Sequence, residues 1–215
     1  MSRVRRVLDT AIDTTAECFL EQPANYSDER SLAEDVRSRM CSELSPASVE
    51  AVSVEESSKA QGSIPDHEAY TSRYSATEEI DRAQCEIGGP AFPFGATERL
   101  DLGVFSDGLT ITVDNGTQEF DPSDLVAAVE FKYVKNTNYL RYRPDDDKSK
   151  YRDIADDIVR LGQLPDGVDR RCVVFSNYDL LRRNSDSDAE RNLRELAENS
   201  DVDLRFVLPE PRPIG

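Results

Sequence analysis

Apolar residues Val4, Val7, Leu8, Ala11, Ile12, Thr15, Cys18 and Phe19 follow one another at intervals of three and four, which predicts an amphipathic helix over about residues 3 to 20. Pro23 ends it. A second helix starts at Ser27 or Asp28, either of which can cap it, and runs to about residue 44 with Leu32, Ala33, Val36 and Met40 facing inward. Glu29 shares that inward face, whereas Glu34 lies round toward the polar side. A carboxylate in a first helical turn is favoured by the helix dipole, so Glu29 reads either as a simple end charge or as an inward-pointing site carboxylate.

From about residue 45 to 79 large apolar residues thin out and no period survives, which predicts an exposed, mobile insertion carrying the lone His67 on its surface. Alternation then takes over. Residues 82 to 87 form a strand with Ala83, Cys85 and Ile87 on one face, stopped by Gly88-Gly89-Pro90. The run R-L-D-L-G-V-F at 99 to 105 puts Leu100, Leu102 and Val104 on one face and Asp101 on the other. Asp is a poor strand former, so its place inside this alternation is informative. A turn at Ser106-Asp107-Gly108 and a short strand over 109 to 113 follow, with a second turn at Asp114-Asn115-Gly116.

Residues 126 to 134 read V-A-A-V-E-F-K-Y-V, nearly all apolar apart from Glu130 and Lys132. Asp121-Pro122 upstream is a good helix start, but a continuing helix would turn Glu130 and Lys132 ~200° apart. One helical turn at 122 to 125 and then a buried strand places both charges on one face. Beyond it come a helix over 148 to 164 with Tyr151, Ile154, Ala155, Ile158 and Leu161 inward, a strand over 171 to 176, a helix over 189 to 199 and a strand over 202 to 208. This order predicts a single α/β domain spanning residues 1 to 215, with a central mixed sheet flanked by helices on both faces.

Composition narrows the setting. The formal net charge is −17, and the only lysines are Lys59, Lys132, Lys135, Lys148 and Lys150. An acidic, Lys-poor surface points to a salt-accumulating, halophilic host, with an ordinary acidic protein as the plainer reading. Cys18, Cys41, Cys85 and Cys172 form no C-x-x-C pair and read as reduced core residues of a cytoplasmic protein. No run approaches the ~18 apolar residues of a membrane span, and no signal peptide is expected.

Charges inside an apolar strand are costly unless paired or bound to a metal. Glu130 and Lys132 are therefore either a buried ion pair or a catalytic site. With Asp101 on a neighbouring strand and Glu29 inward on a helix, the pieces D-E-R-S-L, R-L-D-L-G-V-F and V-E-F-K resemble the PD-(D/E)xK nuclease superfamily. Leu100 stands where that motif has Pro. The resemblance implies a restriction-endonuclease-like core, Mg²⁺ or Mn²⁺ held by Asp101, Glu130 and Glu29, and Lys132 holding the attacking water, with Glu86 as a weaker addition. Asp146-Asp147-Lys148 repeats the acid-x-Lys spacing in a polar segment and is discounted.

Residues 132 to 152 hold seven cations (Lys132, Lys135, Arg141, Arg143, Lys148, Lys150, Arg152) against Asp145, Asp146 and Asp147, interleaved with Tyr133, Tyr139, Tyr142 and Tyr151. Basic residues among aromatics suit phosphate contact and base stacking, and a solvated loop is the bland alternative. Lys135, Arg141, Arg143, Lys148 and Lys150 are the expected nucleic-acid contacts. The expected function is metal-dependent hydrolysis of phosphodiester bonds, DNA before RNA. The alternative is a non-catalytic nuclease-fold module that binds nucleic acid or a protein partner; a second copy of the chain is a further candidate partner.

Overall fold

A computed structural model describes residues 3–46, 71–73, 80–95, 97–109, 111–114, 117–135, 140, 149–178 and 187–209. Helices α1 (Arg3–Glu21) and α2 (Glu29–Glu43) come first. Asp28 is the cap of α2: its side chain accepts from Ser31 N–H at 2.9 Å while Ser31 Oγ accepts from Asp28 N–H at 3.2 Å. This reciprocal box satisfies two donors that the first turn leaves open. The four apolar residues expected to face inward on α2 are buried, and Glu29 is partly exposed.

The central sheet has five strands in the order β2 (Ala83–Ile87), β3 (Leu100–Phe105), β6 (Leu125–Val134), β7 (Asp169–Ser176) and β8 (Asp203–Val207). The first three are antiparallel neighbours and the last three parallel ones. Parallel steps need crossovers, and α3 (Lys150–Gly162) and α4 (Ser187–Asn199) supply them. The protein is thus α/β with a mixed, open sheet. The helical turn ahead of β6 is confined to Pro122–Asp124, capped by Asp121, and the strand then runs ten residues.

Two apolar layers hold the sheet. On one face α1 and α2 bury Leu8, Ile12, Phe19, Leu32, Val36 and Met40 against Leu102, Val104, Val129, Phe131 and Phe175. On the other, Ile154, Ile158 and Leu161 of α3 and Leu193 of α4 meet Ala128, Val134, Cys172 and Val174. Phe19 is fully buried and sits edge-on to Phe175 and Tyr133 at centroid distances of 5.1 and 5.3 Å. Such tilted pairs add attraction beyond the area they bury.

Several expectations need correction. Ile87 and Leu100 do not share a face with Cys85 and Leu102: they pack in the α3 layer. On β2 the switch falls at Glu86, whose φ of 56° breaks the pleat, and Leu100, the partner of Ile87 in the ladder, lies on the same side as Ile87. Of the four cysteines, all free, only Cys172 is buried; the others are partly exposed. A second sheet with order β1 (Thr71–Arg73), β4 (Ile111–Asp114), β5 (Thr117–Phe120) was not anticipated beyond β4. Its β1 comes from the segment expected to be an exposed, mobile insertion; residues 47–70, with His67, and 74–79 lie outside the described residues.

Phe19→Ala should cost about 3 to 5 kcal/mol of unfolding free energy, because nothing can collapse into the space between two rigid rings. Leu20→Ala, at a neighbouring side chain 43% exposed, should stay within about 0.5 kcal/mol. Urea unfolding of the two variants checks the pair.

Candidate active site

The register between β3 and β6 ends at Leu102↔Val129, while β6 continues to Val134. Two N–H groups on that overhanging edge would lack a strand partner, and carboxylates take the place of one. Phe131 N–H donates to Asp101 Oδ2 at 2.7 Å, and Tyr133 N–H donates to Glu29 Oε1 at 3.3 Å. Asp101 and Glu29 are therefore held by the backbone of the strand that carries Glu130 and Lys132.

Glu130 is 1% exposed and hydrogen-bonded to Asp101. Burial, then the neighbouring charges of Asp101 and Asp157, push its carboxyl well above the usual range. Asp101 is raised too, chiefly by burial, although the Phe131 N–H and Glu130 oppose the shift. The pair thus holds a proton more tightly than free carboxyls do.

Lys132 and Glu130 do not pair with each other; α3 separates them by supplying a counter-ion to each. Lys132 Nζ lies 2.8 Å from Asp157 Oδ2 and 3.7 Å from Glu29 Oε2. Arg160 places Nε and Nη2 at 3.1 and 2.7 Å from Glu130 Oε1, Nη2 at 2.8 Å from Asp157 Oδ1, and Nη1 at 2.7 Å from Glu98 Oε2. Burial alone would lower the Lys132 pKa, but Asp157 and Glu29 more than offset it, so the ammonium is held above its ordinary range. Asp157 is pushed up to about 6, burial outweighing Lys132 and Arg160.

Asp157 and Arg160 were missed because each is read as the polar side of a helix. A signal existed for Asp157: it falls three residues after Ile154 and four before Leu161, inside the apolar stripe of α3, the same test that picked out Glu29. Nothing comparable marks Arg160. Glu86 is exposed, and its contribution is the left-handed backbone at the β2 end rather than a site carboxylate.

Five carboxylates (Glu29, Glu98, Asp101, Glu130, Asp157) thus surround two cations, Lys132 and Arg160. Such an excess of hard oxygen donors suits a divalent cation. Among the described residues, however, no three His, Cys, Asp or Glu side chains are arranged as a metal-holding group. Glu29 is turned to Tyr133 and Lys132 instead of completing a trio with Asp101 and Glu130. Asp101 and Glu130 remain as two carboxylates from adjacent strands, and Mg²⁺ is commonly bound through one or two carboxylates. Cys85 is pushed up to about 12 and Cys172 well above its ordinary value, both mainly by burial, so neither thiol offers a thiolate at neutral pH.

Of the expected nucleic-acid contacts, Arg141, Arg143 and Lys148 lie outside the described residues. Lys135 is exposed, lies 5.0 Å over the Tyr133 ring and donates to the Ser27 carbonyl. Lys150 lies 3.0 Å from Asp153, and Arg152 3.1 Å from Asp156. The basic count over 132 to 152 stopped short of these acids, which neutralise its C-terminal end. Comparison with protein-family models, with curated proteins and with solved structures finds no match for this chain. Among the described residues no helix is long and apolar enough to cross a membrane.

Asp101, Glu130 and Asp157 all titrate higher in the folded chain than in the unfolded one. Folded protein therefore binds extra protons above about pH 4, and the stability this supplies is lost as pH rises through the folded values, for Asp157 about 6. Glu130→Gln removes one of these sites. Its thermal midpoint should fall less than that of wild type between about pH 4 and 7 at fixed salt. Parallel curves would show that Glu130 titrates normally.

Proposed function

We propose that this chain is a metal-dependent nuclease with a restriction-endonuclease-like core, of the PD-(D/E)xK kind. The observation that carries the reading is the pairing of Asp101 and Glu130 from adjacent strands, with Lys132 two residues on and Glu29 locked to the same strand. The element order α2, β2, β3, β6, α3, β7 also supports it, since it sets an acid-bearing antiparallel strand beside the E-x-K strand and a helix over both charges.

In this reading Asp101 and Glu130 would hold Mg²⁺ or Mn²⁺, which when bound would lower the pKa of a coordinated water and screen the phosphate. Phe131 N–H fixes the rotamer of Asp101, and Arg160 and the Asp101 contact fix Glu130, so both carboxylates are positioned before any ligand arrives. Lys132 stays an ammonium at neutral pH and acts as a donor rather than a base. It orients the attacking water and offsets charge on the phosphorus-centred transition state. Asp157 and Glu29 hold that ammonium in place. The exposed Lys135 beside Tyr133 starts the surface on which a phosphate backbone would lie. The substrate is nucleic acid, DNA before RNA, met in the cytoplasm of a salt-accumulating cell.

One observation favours a second reading. Arg160 already satisfies Glu130 and Asp157, so the cluster closes as an ion-pair network without a metal. In that case the chain is a non-catalytic module that binds nucleic acid or a protein partner.

Incubation with supercoiled plasmid, linear DNA and RNA, with Mg²⁺ or Mn²⁺ in low and molar KCl, separates the two. Cleavage is expected. Lys132→Ala, Asp101→Ala and Glu130→Ala should each lower it at least ~100-fold. Glu29→Gln should reduce cleavage far more than Glu34→Gln, because only Glu29 touches Tyr133 and Lys132. Full activity in Lys132→Ala removes the nuclease mechanism; binding without cleavage of any substrate establishes the module.

A further inference from the structure

We infer that Arg160 is the resident counter-cation of Glu130 and competes with a divalent metal for it, so that Arg160 sets the metal affinity of the site. The inference rests on the proposed metal site and concerns how that site is regulated.

Arg160 is far from an ordinary surface pair. Its guanidinium reaches carboxylates on three separate segments: Glu98 before β3, Glu130 in β6 and Asp157 on its own helix. Both of its contacts to Glu130 fall on one oxygen, Oε1, at 2.7 and 3.1 Å. The Glu130 carboxylate therefore meets a full positive charge on one oxygen and Asp101 as its other neighbour. A divalent ion that took Glu130 and Asp101 together would come against that guanidinium, and two cations on one buried carboxylate repel strongly where water is scarce.

The geometry also supplies an exit. Glu98 is half exposed, with a side-chain exposure of 51%, and holds Nη1 on the solvent side, while Asp157 holds Nη2 from within α3. When Arg160 gives up Glu130, Glu98 and Asp157 remain as partners for its guanidinium, so its charge is not left bare. Lys could not do the same work, because one ammonium cannot span three carboxylates in a planar fork.

The test needs no nucleic acid. Mn²⁺ alone is titrated into wild type, Arg160→Gln, Arg160→Lys and Glu130→Gln, with free aqueous Mn²⁺ followed by its paramagnetic resonance signal and folding followed by circular dichroism. Arg160→Gln should bind Mn²⁺ about tenfold or more tightly than wild type, as expected when a charge-assisted competitor is removed. Arg160→Lys should lie between, and Glu130→Gln should lose the site. If Arg160→Gln does not fold, Arg160→Lys decides alone. Glu130-dependent Mn²⁺ binding in wild type that neither Arg160 variant tightens overturns the competition and leaves the nuclease reading standing. Absence of Glu130-dependent binding in wild type and in every folded Arg160 variant overturns the metal site itself, and this inference with it.

Discussion

The constraint on which the rest of the site depends is the burial of Glu130 in the central strand. An isolated carboxylate there would carry a penalty on the order of several kcal/mol. The chain meets it with Arg160 from α3, whose Nη2 lies 2.7 Å from Glu130 Oε1, while burial and the neighbouring Asp101 and Asp157 hold the carboxyl above its usual range. Each compensating group then needs its own partner. Arg160 brings in Asp157 and Glu98, Asp157 takes Lys132, and Lys132 reaches Glu29. One buried charge thus ties α2, β3, β6 and α3 together, and the joint between the layers is also the candidate site.

A second constraint comes from strand lengths. Because β6 outruns β3, its edge offers N–H groups with no ladder partner, and buried N–H groups are almost always satisfied. Side-chain carboxylates fill that role here. Asp101 and Glu29 consequently serve the sheet and the site at once, which is why their orientations are settled before any ligand binds. The left-handed Glu86 opposite Asp101 marks where β2 stops following the pleat.

The extreme acidity is handled by arginine. Arg37 joins α2 to Asp81 and the Ala83 carbonyl, Arg82 reaches the Phe105 carbonyl, Arg171 links β7 to Asp9 of α1, and Arg205 links β8 to Asp13. A planar fork can serve two acceptors at once, which suits it to such ties between elements. Each of these cations is thereby engaged by the protein's own acceptors.

The sequence by itself determined the helices and the strands of the central sheet, the capped start of α2, the one-turn stop before β6 and the candidates Glu29, Asp101, Glu130 and Lys132. These rest on periods of two and 3.6, on capping chemistry and on the cost of a charge in an apolar run, all of which are local. Only the tertiary structure decided which charge pairs with which. Glu130 and Lys132 look like partners in the chain, yet α3 gives each a different one, because Asp157 and Arg160 lie one helical turn apart and face the sheet. The face switch on β2 falls at one positive φ at a glutamate, which no composition announces. The strands β1 and β5 exist through pairing with β4, a non-local contact that their own residues do not encode in any period. Local pattern selects the candidates, and the packing of α3 on the sheet selects their partners, because charge compensation acts through space and not along the chain.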